Sequence, residues 1–196
     1  MGAAHRTRAR LVGALAAAAL ALAARGDAGE RVQEQRLRSL HRRILFRAFT
    51  TDGLHLAYVT VEGDKVRVVV DGKPGPEYDG IFEGSLVFSP DGSRVAYAAV
   101  KGDKVRVVVD GNPGPEYDAI GKGTPVFSPD GSRVAYAAVK GDRWRVVVDG
   151  KPGPEYDDIL KGSLVFSPDG SRVAYAARKG DRWRVVVDGK PGPEYD

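Results

Sequence analysis

From residue 48 onward, short apolar stretches rich in Val, Ala and Tyr alternate with turns that contain Asp and Gly. In one copy of this pattern the apolar stretches cover residues 86–88, 94–100 and 104–109, and such stretches predict β-strands. A fourth strand is predicted at 116–120. It follows a Pro-Gly-Pro whose prolines cannot donate backbone hydrogen bonds to a neighbouring strand, so this strand is expected at the edge of the sheet. Each unit is therefore predicted to be a four-stranded antiparallel meander.

Both faces of the second predicted strand are apolar. Val95 and Tyr97 alternate with the small residues Ala96 and Ala98. A sheet that is buried on both faces must lie between two neighbouring sheets. Radially packed blades provide this arrangement, so the pattern predicts a β-propeller. A β-solenoid is less favoured, because its coils do not need three tight hairpins in each unit.

The pattern repeats with a period of 39 residues. The sequence VVVDG-x-PGPEYD occurs four times, and the repeats cover 48–79, 87–118, 126–157 and 165–196, joined by seven-residue connectors. A fixed period of this length indicates one supersecondary unit that stacks on copies of itself. The predicted fold class is thus all-β, a β-propeller built of four 39-residue, four-stranded antiparallel blades.

The N-terminal 28 residues have the pattern of a secretory signal peptide. Arg6, Arg8 and Arg10 precede an uncharged run at 11–24, and small residues follow it. A run of this length is too short for an uncleaved spanning helix, which needs about 20 apolar residues. We therefore expect a cleaved signal at 1–28 and a periplasmic or secreted protein. Any membrane contact is expected only through an uncleaved signal.

Residues 29–47 are basic and precede the first repeat. Leu37, Leu40 and Ile44 have the spacing of one helix face, with arginines around them. This segment could form a short helix that binds an anionic membrane or a partner. A solvated linker or a cap over the first repeat is the favoured interpretation.

Net charge and cysteine content exclude several classes of function. Residues 1–47 hold ten Lys and Arg against three Asp and Glu, whereas residues 48–196 hold twenty against twenty-three. A nucleic-acid-binding domain should carry its basic surface on the folded part, so no nucleic-acid partner is expected. The chain has no cysteine, which excludes disulfides and thiolate metal sites.

The segment FSPDGSRVAYAA at 88–99, 127–138 and 166–177 resembles the WD40-like PD40 repeat of the TolB-like β-propeller family. The resemblance covers residues 48–196, although the first repeat carries Thr-Thr-Asp-Gly at 50–53 in place of Ser-Pro-Asp-Gly. It implies a propeller fold and an exported bacterial protein, which agrees with the N-terminal pattern. Because the shared residues form turns and core, the resemblance implies no particular ligand.

No residue pattern points to catalysis, a metal or a cofactor. Asp91, Asp110 and Asp118 stand singly in turns, whereas a Ca²⁺ site needs several converging oxygen ligands. The histidines are His5, His41 and His55, so the repeated serines lack a repeated base to activate them. We therefore expect neither an enzyme nor a cofactor-binding protein.

Differences between the last three repeats are concentrated in the connectors and in the loop between the second and third strands. These parts should open on one face of a propeller, opposite the nearly invariant SPDGS and DGxPGPEYD turns. Trp and Arg often dominate interface energies. The speculative binding residues are therefore Trp144, Trp183, Arg143, Arg182 and Arg178. Alternatively, the two tryptophans only widen the packing between blades.

The favoured function is an exported scaffold that binds an unknown protein partner in the cell envelope. The alternatives are a propeller that binds a carbohydrate or a small molecule, and the propeller part of a truncated hydrolase. A four-blade ring is at the small limit of propellers. We therefore expect either a non-covalently closed ring or an open row that self-association or a partner completes.

Overall fold

The computed structural model describes residues 44–195, and these form four antiparallel sheets in chain order. The predicted all-β propeller of four blades is confirmed. The predicted signal peptide at 1–28, positions 29–43 of the predicted linker and Asp196 lie outside the described residues. Within 44–195, no helix is long and apolar enough to span a membrane.

Each blade holds a first, second, third and fourth strand, counted along the chain. The strands of blade 1 are Ile44–Phe49, Leu56–Glu62, Lys65–Val70 and Lys73–Tyr78. In the other blades the first strand is split into two short pieces, both paired with the second strand. Blade 2 contains Gly80–Ile81, Val87–Phe88, Val95–Lys101, Lys104–Val109 and Asn112–Pro113. Blade 3 contains Ala119–Ile120, Val126–Phe127, Val134–Lys140, Arg143–Val148 and Lys151–Pro152. Blade 4 contains Asp158–Ile159, Val165–Phe166, Val173–Lys179, Arg182–Val187 and Lys190–Tyr195.

Two predicted boundaries are wrong. Residues 44–47, assigned to the linker or helix, belong to the first strand of blade 1. The fourth strand predicted at 116–120 instead begins at Asn112, and Ala119–Ile120 pairs with the second strand of the next blade. The prolines do not prevent pairing, because the Gly114 N–H between them donates to Val107 O at 2.9 Å.

The turn between the third and fourth strands explains the repeated Asp-Gly. Asp110 and Gly111 both have positive φ angles, of 52° and 79°. A two-residue hairpin turn of this type matches the twist of the flanking strands and favours Asp-Gly. Asp110 Oδ1 also accepts from the Val95 N–H at 2.9 Å, which ties the turn to the second strand.

Consecutive blades pack face to face over small apolar residues, as the sequence predicts. We call the surface that a blade turns toward the next blade its forward face, and the opposite surface its rear face. Between blades 1 and 2, Val59 and Val68 of the forward face pack with Val95 and Tyr97 of the rear face. The same kind of cluster fills the interfaces of blades 2 and 3 and of blades 3 and 4.

An edge-to-face tyrosine pair marks each of these three interfaces. The pairs are Tyr78–Tyr97, Tyr117–Tyr136 and Tyr156–Tyr175, with ring centroids 6.0–6.2 Å apart. The rear-face member comes from the second strand. The forward-face member is the tyrosine that follows Pro-Gly-Pro-Glu: Tyr78 ends the fourth strand of blade 1, whereas Tyr117 and Tyr156 form isolated bridges to the third strand. Burial between the blades raises the pKa of Tyr97 and Tyr136 well above the usual value.

Candidate functional site

The two ends of the blades carry different chemistry, as predicted from the pattern of differences between repeats. At one end, the connector that leaves a blade lies beside the turn between the second and third strands of the next blade. Asp118 Oδ2 accepts from the Gly141 N–H of blade 3 at 2.7 Å, and Asp118 Oδ1 accepts from Lys104 Nζ at 2.7 Å. The Lys104 ammonium, and then the Gly141 N–H, lower the pKa of Asp118.

These contacts give the repeated aspartates a role that the turn interpretation missed. Asp79 and Asp157 make the same pair of bonds as Asp118, each to a basic residue of its own blade and to a glycine of the next. Each aspartate therefore ties two blades together. The only sequence signal was that a Lys or Arg always stands 14 residues before this Asp.

At the other end, the SPDGS turn of one blade packs against the turn of the blade before it. Ser89 Oγ and Ser93 Oγ donate to Asp91 at 2.5 and 2.6 Å, and these bonds lower the pKa of Asp91 to about 2. Gly131 lies so close to Asp91 that a β-carbon there would be 2.7 Å from its Oδ1. Glycine is thus required by contact as well as by its φ of 73°.

An arginine links the blades at this same end. Arg94 Nε donates to Asp110 Oδ2 at 2.9 Å, and Arg94 Nη1 donates to Ser132 O of blade 3 at 2.8 Å. Its guanidinium also lies 5.5 Å from the centroid of the Phe127 ring. Arg133 repeats this set of contacts to blade 4. In blade 1 the equivalent residue is His55, which bonds Asp71 at 2.7 Å.

Three clefts open between consecutive blades beside these arginine links, with volumes of about 330, 400 and 220 Å³ from blade 1 to blade 4. Their linings repeat one another, and each contains the second-strand tyrosine, a Gly of Pro-Gly-Pro and an Asp of the Asp-Gly turn. His55 distinguishes the cleft between blades 1 and 2. Across residues 44–195, no group of His, Cys, Asp or Glu could hold a metal ion.

The five predicted binding residues do not form one cluster. Arg143 pairs with Asp157 and belongs to the aspartate ties described above. The indole of Trp144 packs against the core cluster between blades 3 and 4 and lies over Gly121. For Trp144, this contact matches the alternative in which the indole widens the packing between blades.

Trp183, Arg178 and Arg182 lie on blade 4. Trp183 is opposite Arg178 on the second strand and opposite Tyr195 on the fourth strand. Arg178 Nη1 donates to Gly180 O at 3.1 Å, and Arg182 Nε lies 3.8 Å from Glu194 Oε2. Trp183 and Arg178 occupy the repeat positions that face the next blade in blades 1 to 3.

The forward face of blade 4 is exposed, although it carries nearly the same residues as the buried forward faces. Val185 is 47% exposed, whereas its equivalents Val68, Val107 and Val146 are only 1–2% exposed. Tyr195 is 55% exposed, against 3–4% for the tyrosines at the same position in blades 1 to 3. The sequence could not reveal this difference, because the repeat is the same in both environments.

The rear face of blade 1 is apolar and exposed as well. Phe49 and Leu45 are 57% and 59% exposed, and both alternate with Phe46 and Ala48, which pack toward blade 2. Tyr58, which corresponds to the buried Tyr97, is only partly buried. Arg47 lies over the Phe49 ring at 5.7 Å from its centroid. Among residues 44–195, the forward face of blade 4 and the rear face of blade 1 are therefore the two apolar faces that no other blade covers.

No family model matches the sequence, and no curated protein matches it. Among solved structures, the chain is similar to a putative TolB from Agrobacterium tumefaciens, with 18% identity, a TM-score of 0.40, and 76% of this chain and 62% of the other covered. It is also similar to the β-propeller domain of the Trilobed protease from Pyrococcus furiosus, at 15% identity, a TM-score of 0.43, and 76% and 56% coverage.

A third similar structure is a eukaryotic initiation factor, at 15% identity and a TM-score of 0.46, with 78% of this chain and 43% of the other covered. The chain spans about half the length of these structures.

Proposed function

We propose that this protein is an exported β-propeller scaffold that binds a protein partner and has no catalytic activity of its own. The observation that carries the proposal is the open forward face of blade 4. It combines Trp183, Tyr195 and Val185 with Arg178 at one edge. Aromatic residues and arginine around an apolar centre are typical of surfaces that bind proteins.

Export is proposed from the N-terminal sequence, whose arginines and apolar run have the order of a signal peptide. The partner is accordingly expected in the periplasm or outside the cell.

The proposal is tested by cross-linking the tagged full chain in its native host and identifying the attached proteins by mass spectrometry. A true partner should then bind the purified chain directly. Trp183→Ala should weaken that binding by at least about tenfold, since interface hot spots contribute about 2 kcal/mol or more. The melting temperature should hardly change, because Trp183 covers no neighbouring blade.

Trp144→Ala is the matched control. It removes the same side chain from the equivalent position, but within the interface of blades 3 and 4. We expect it to lower the melting temperature and to leave binding intact at temperatures where the variant is folded. Equal binding by wild type and Trp183→Ala would refute the assignment of this face, and a purified partner that fails to bind either would refute the scaffold function.

A further inference from the structure

The two open faces are complementary halves of one interface. Blade 4 covers the forward face of blade 3. In the second and third strands, the forward face of blade 4 differs from that covered face at one position, where Arg178 replaces Val139. The rear face of blade 1 occupies the position from which blades 2, 3 and 4 cover their predecessors. One molecule therefore displays both parts of a contact that it makes three times internally.

The tyrosine pairs show this complementarity most clearly. Each internal interface pairs the tyrosine that follows Pro-Gly-Pro-Glu with a second-strand tyrosine of the next blade. Among the described residues, two tyrosines at these repeat positions, Tyr195 and Tyr58, take part in no such pair. Tyr195 lies on the forward face of blade 4, and Tyr58 on the rear face of blade 1.

Within residues 44–195, the arginine contact between blades also has two members without their usual neighbour, Arg172 in blade 4 and Phe49 in blade 1. Arg94 and Arg133 are about one third exposed and lie over a phenylalanine of the next blade, whereas Arg172 is 64% exposed. The phenylalanine at the corresponding repeat position in blade 1 is Phe49, whose side chain is exposed. The turn at 51–54, which corresponds to the one that Arg94 reaches in blade 3, also has exposed residues.

The contacts of the glycines in the SPDGS turns also distinguish blade 1 from the other blades. A β-carbon on Gly92, Gly131 or Gly170 would press on the preceding blade, at 2.7–3.1 Å from its side chains. At Gly53, the equivalent in blade 1, no described residue lies within 4 Å. Among residues 44–195, nothing therefore fills in front of blade 1 the space that a preceding blade fills in the other three interfaces.

We propose that the occupant of both faces is a second copy of this chain, bound head to tail, with the forward face of blade 4 against the rear face of the partner's blade 1. This inference rests on the proposed function in treating the blade 4 face as a binding surface. A head-to-tail contact closes into a ring when the rotation allows. Two copies would give about eight blades, which is within the range of propellers.

The test is sedimentation equilibrium of the full chain between about 1 and 100 µM, with two variants that each block one face. We expect wild type to approach twice the mass of one chain as its concentration rises. Val185→Arg and Phe49→Arg should each remain monomeric, and their melting temperatures should match that of dilute wild type. Asp142→Arg, at a side chain that is 92% exposed in a turn of blade 3, is the control and should still associate.

Mixing the two variants gives the decisive result. Val185→Arg keeps an intact blade 1 face and Phe49→Arg keeps an intact blade 4 face, so the mixture should form a complex of one chain of each. If either variant fails to fold, Tyr195→Arg and Leu45→Arg block the same two faces.

A monomeric wild type at 100 µM, a monomeric mixture, or blocked variants that still associate would each overturn the proposal. A monomer that still binds a different protein through Trp183 would refute self-association and leave the scaffold function standing. Association without any such protein would refute the scaffold function and leave self-association standing.

Discussion

The interface between blades 3 and 4 and the open forward face of blade 4 present nearly the same residues to opposite surroundings. In the interface, Val146 and Tyr156 are buried against the next blade, whereas Val185 and Tyr195 of blade 4 are about half exposed. The difference shows that the same repeat residues are buried where a following blade covers them and exposed where no described residue does. Stability and binding should therefore separate when equivalent residues of the two regions are changed.

The largest contrast is expected for a charge placed at the two valines. Val146→Asp buries an unpaired carboxylate and should cost more than about 4 kcal/mol of unfolding free energy, enough to unfold many single domains. Val185→Asp places the same charge in water and should change stability by less than about 0.5 kcal/mol in dilute solution. Urea unfolding followed by circular dichroism measures both, and similar losses would mean that the blade 4 face is covered within the chain.

A smaller contrast is expected for two equivalent glycines, one in blade 3 and one in blade 1. Gly131 and Gly53 have φ angles of 73° and 72°, so alanine at either position costs about 1–2 kcal/mol of backbone strain. Only at Gly131 does the new methyl also meet Asp91, which should add about 1–3 kcal/mol. Urea midpoints of the two variants give the difference, and equal losses would show that the contact between the turns contributes nothing.

The smallest effect is a pH dependence confined to blade 1. The bond to Asp71, followed by the charge of that carboxylate, raises the pKa of His55 above its ordinary value of 6.5. The protonated imidazole therefore stabilises the fold fully below pH 6.5, and this contribution is lost as pH rises through the folded-state pKa.

The matched variant is His55→Arg, which places at this position the residue that the other three blades carry. Urea midpoints measured from pH 5.5 to 8.5 should fall with pH for wild type more than for the variant, since the arginine stays charged. His5 and His41 are common to both proteins and cancel in the comparison. Parallel pH profiles for the two proteins would contradict the role of the His55–Asp71 pair.

The strands and turns were predictable from the sequence because each is set by local chemistry. The strand Lys104–Val109 and the Asp110-Gly111 turn lie where Val runs and Asp-Gly predict them. The fourth strand was misplaced, because an apolar stretch indicates a strand without naming its partner. Ala119–Ile120 belongs to the following blade.

The candidate site was predictable only in part, for a related reason. The differences between repeats drew attention to one end of the blades and to Trp183 and Arg178, which the structure places on the forward face of blade 4. They placed Trp144 in the same group, although its side chain packs between two blades. They also missed Val185 and Tyr195, since residues that are identical in every repeat carry no local sign of exposure.

The same repeat valine is covered in blade 3, as Val146, and exposed in blade 4, as Val185. Because the chain contains no cysteine, Val146→Cys and Val185→Cys each introduce a single thiol, whose rate of reaction with a thiol reagent reports its exposure. The measurement is made at a concentration where sedimentation shows a monomer. The thiol at 185 should then react at nearly the rate of the unfolded chain. The thiol at 146 should react at least about a hundredfold more slowly, because the structure must first open, at a free-energy cost of about 3 kcal/mol. Equal rates at the two positions would show that the forward face of blade 4 is not more exposed than the buried forward face of blade 3.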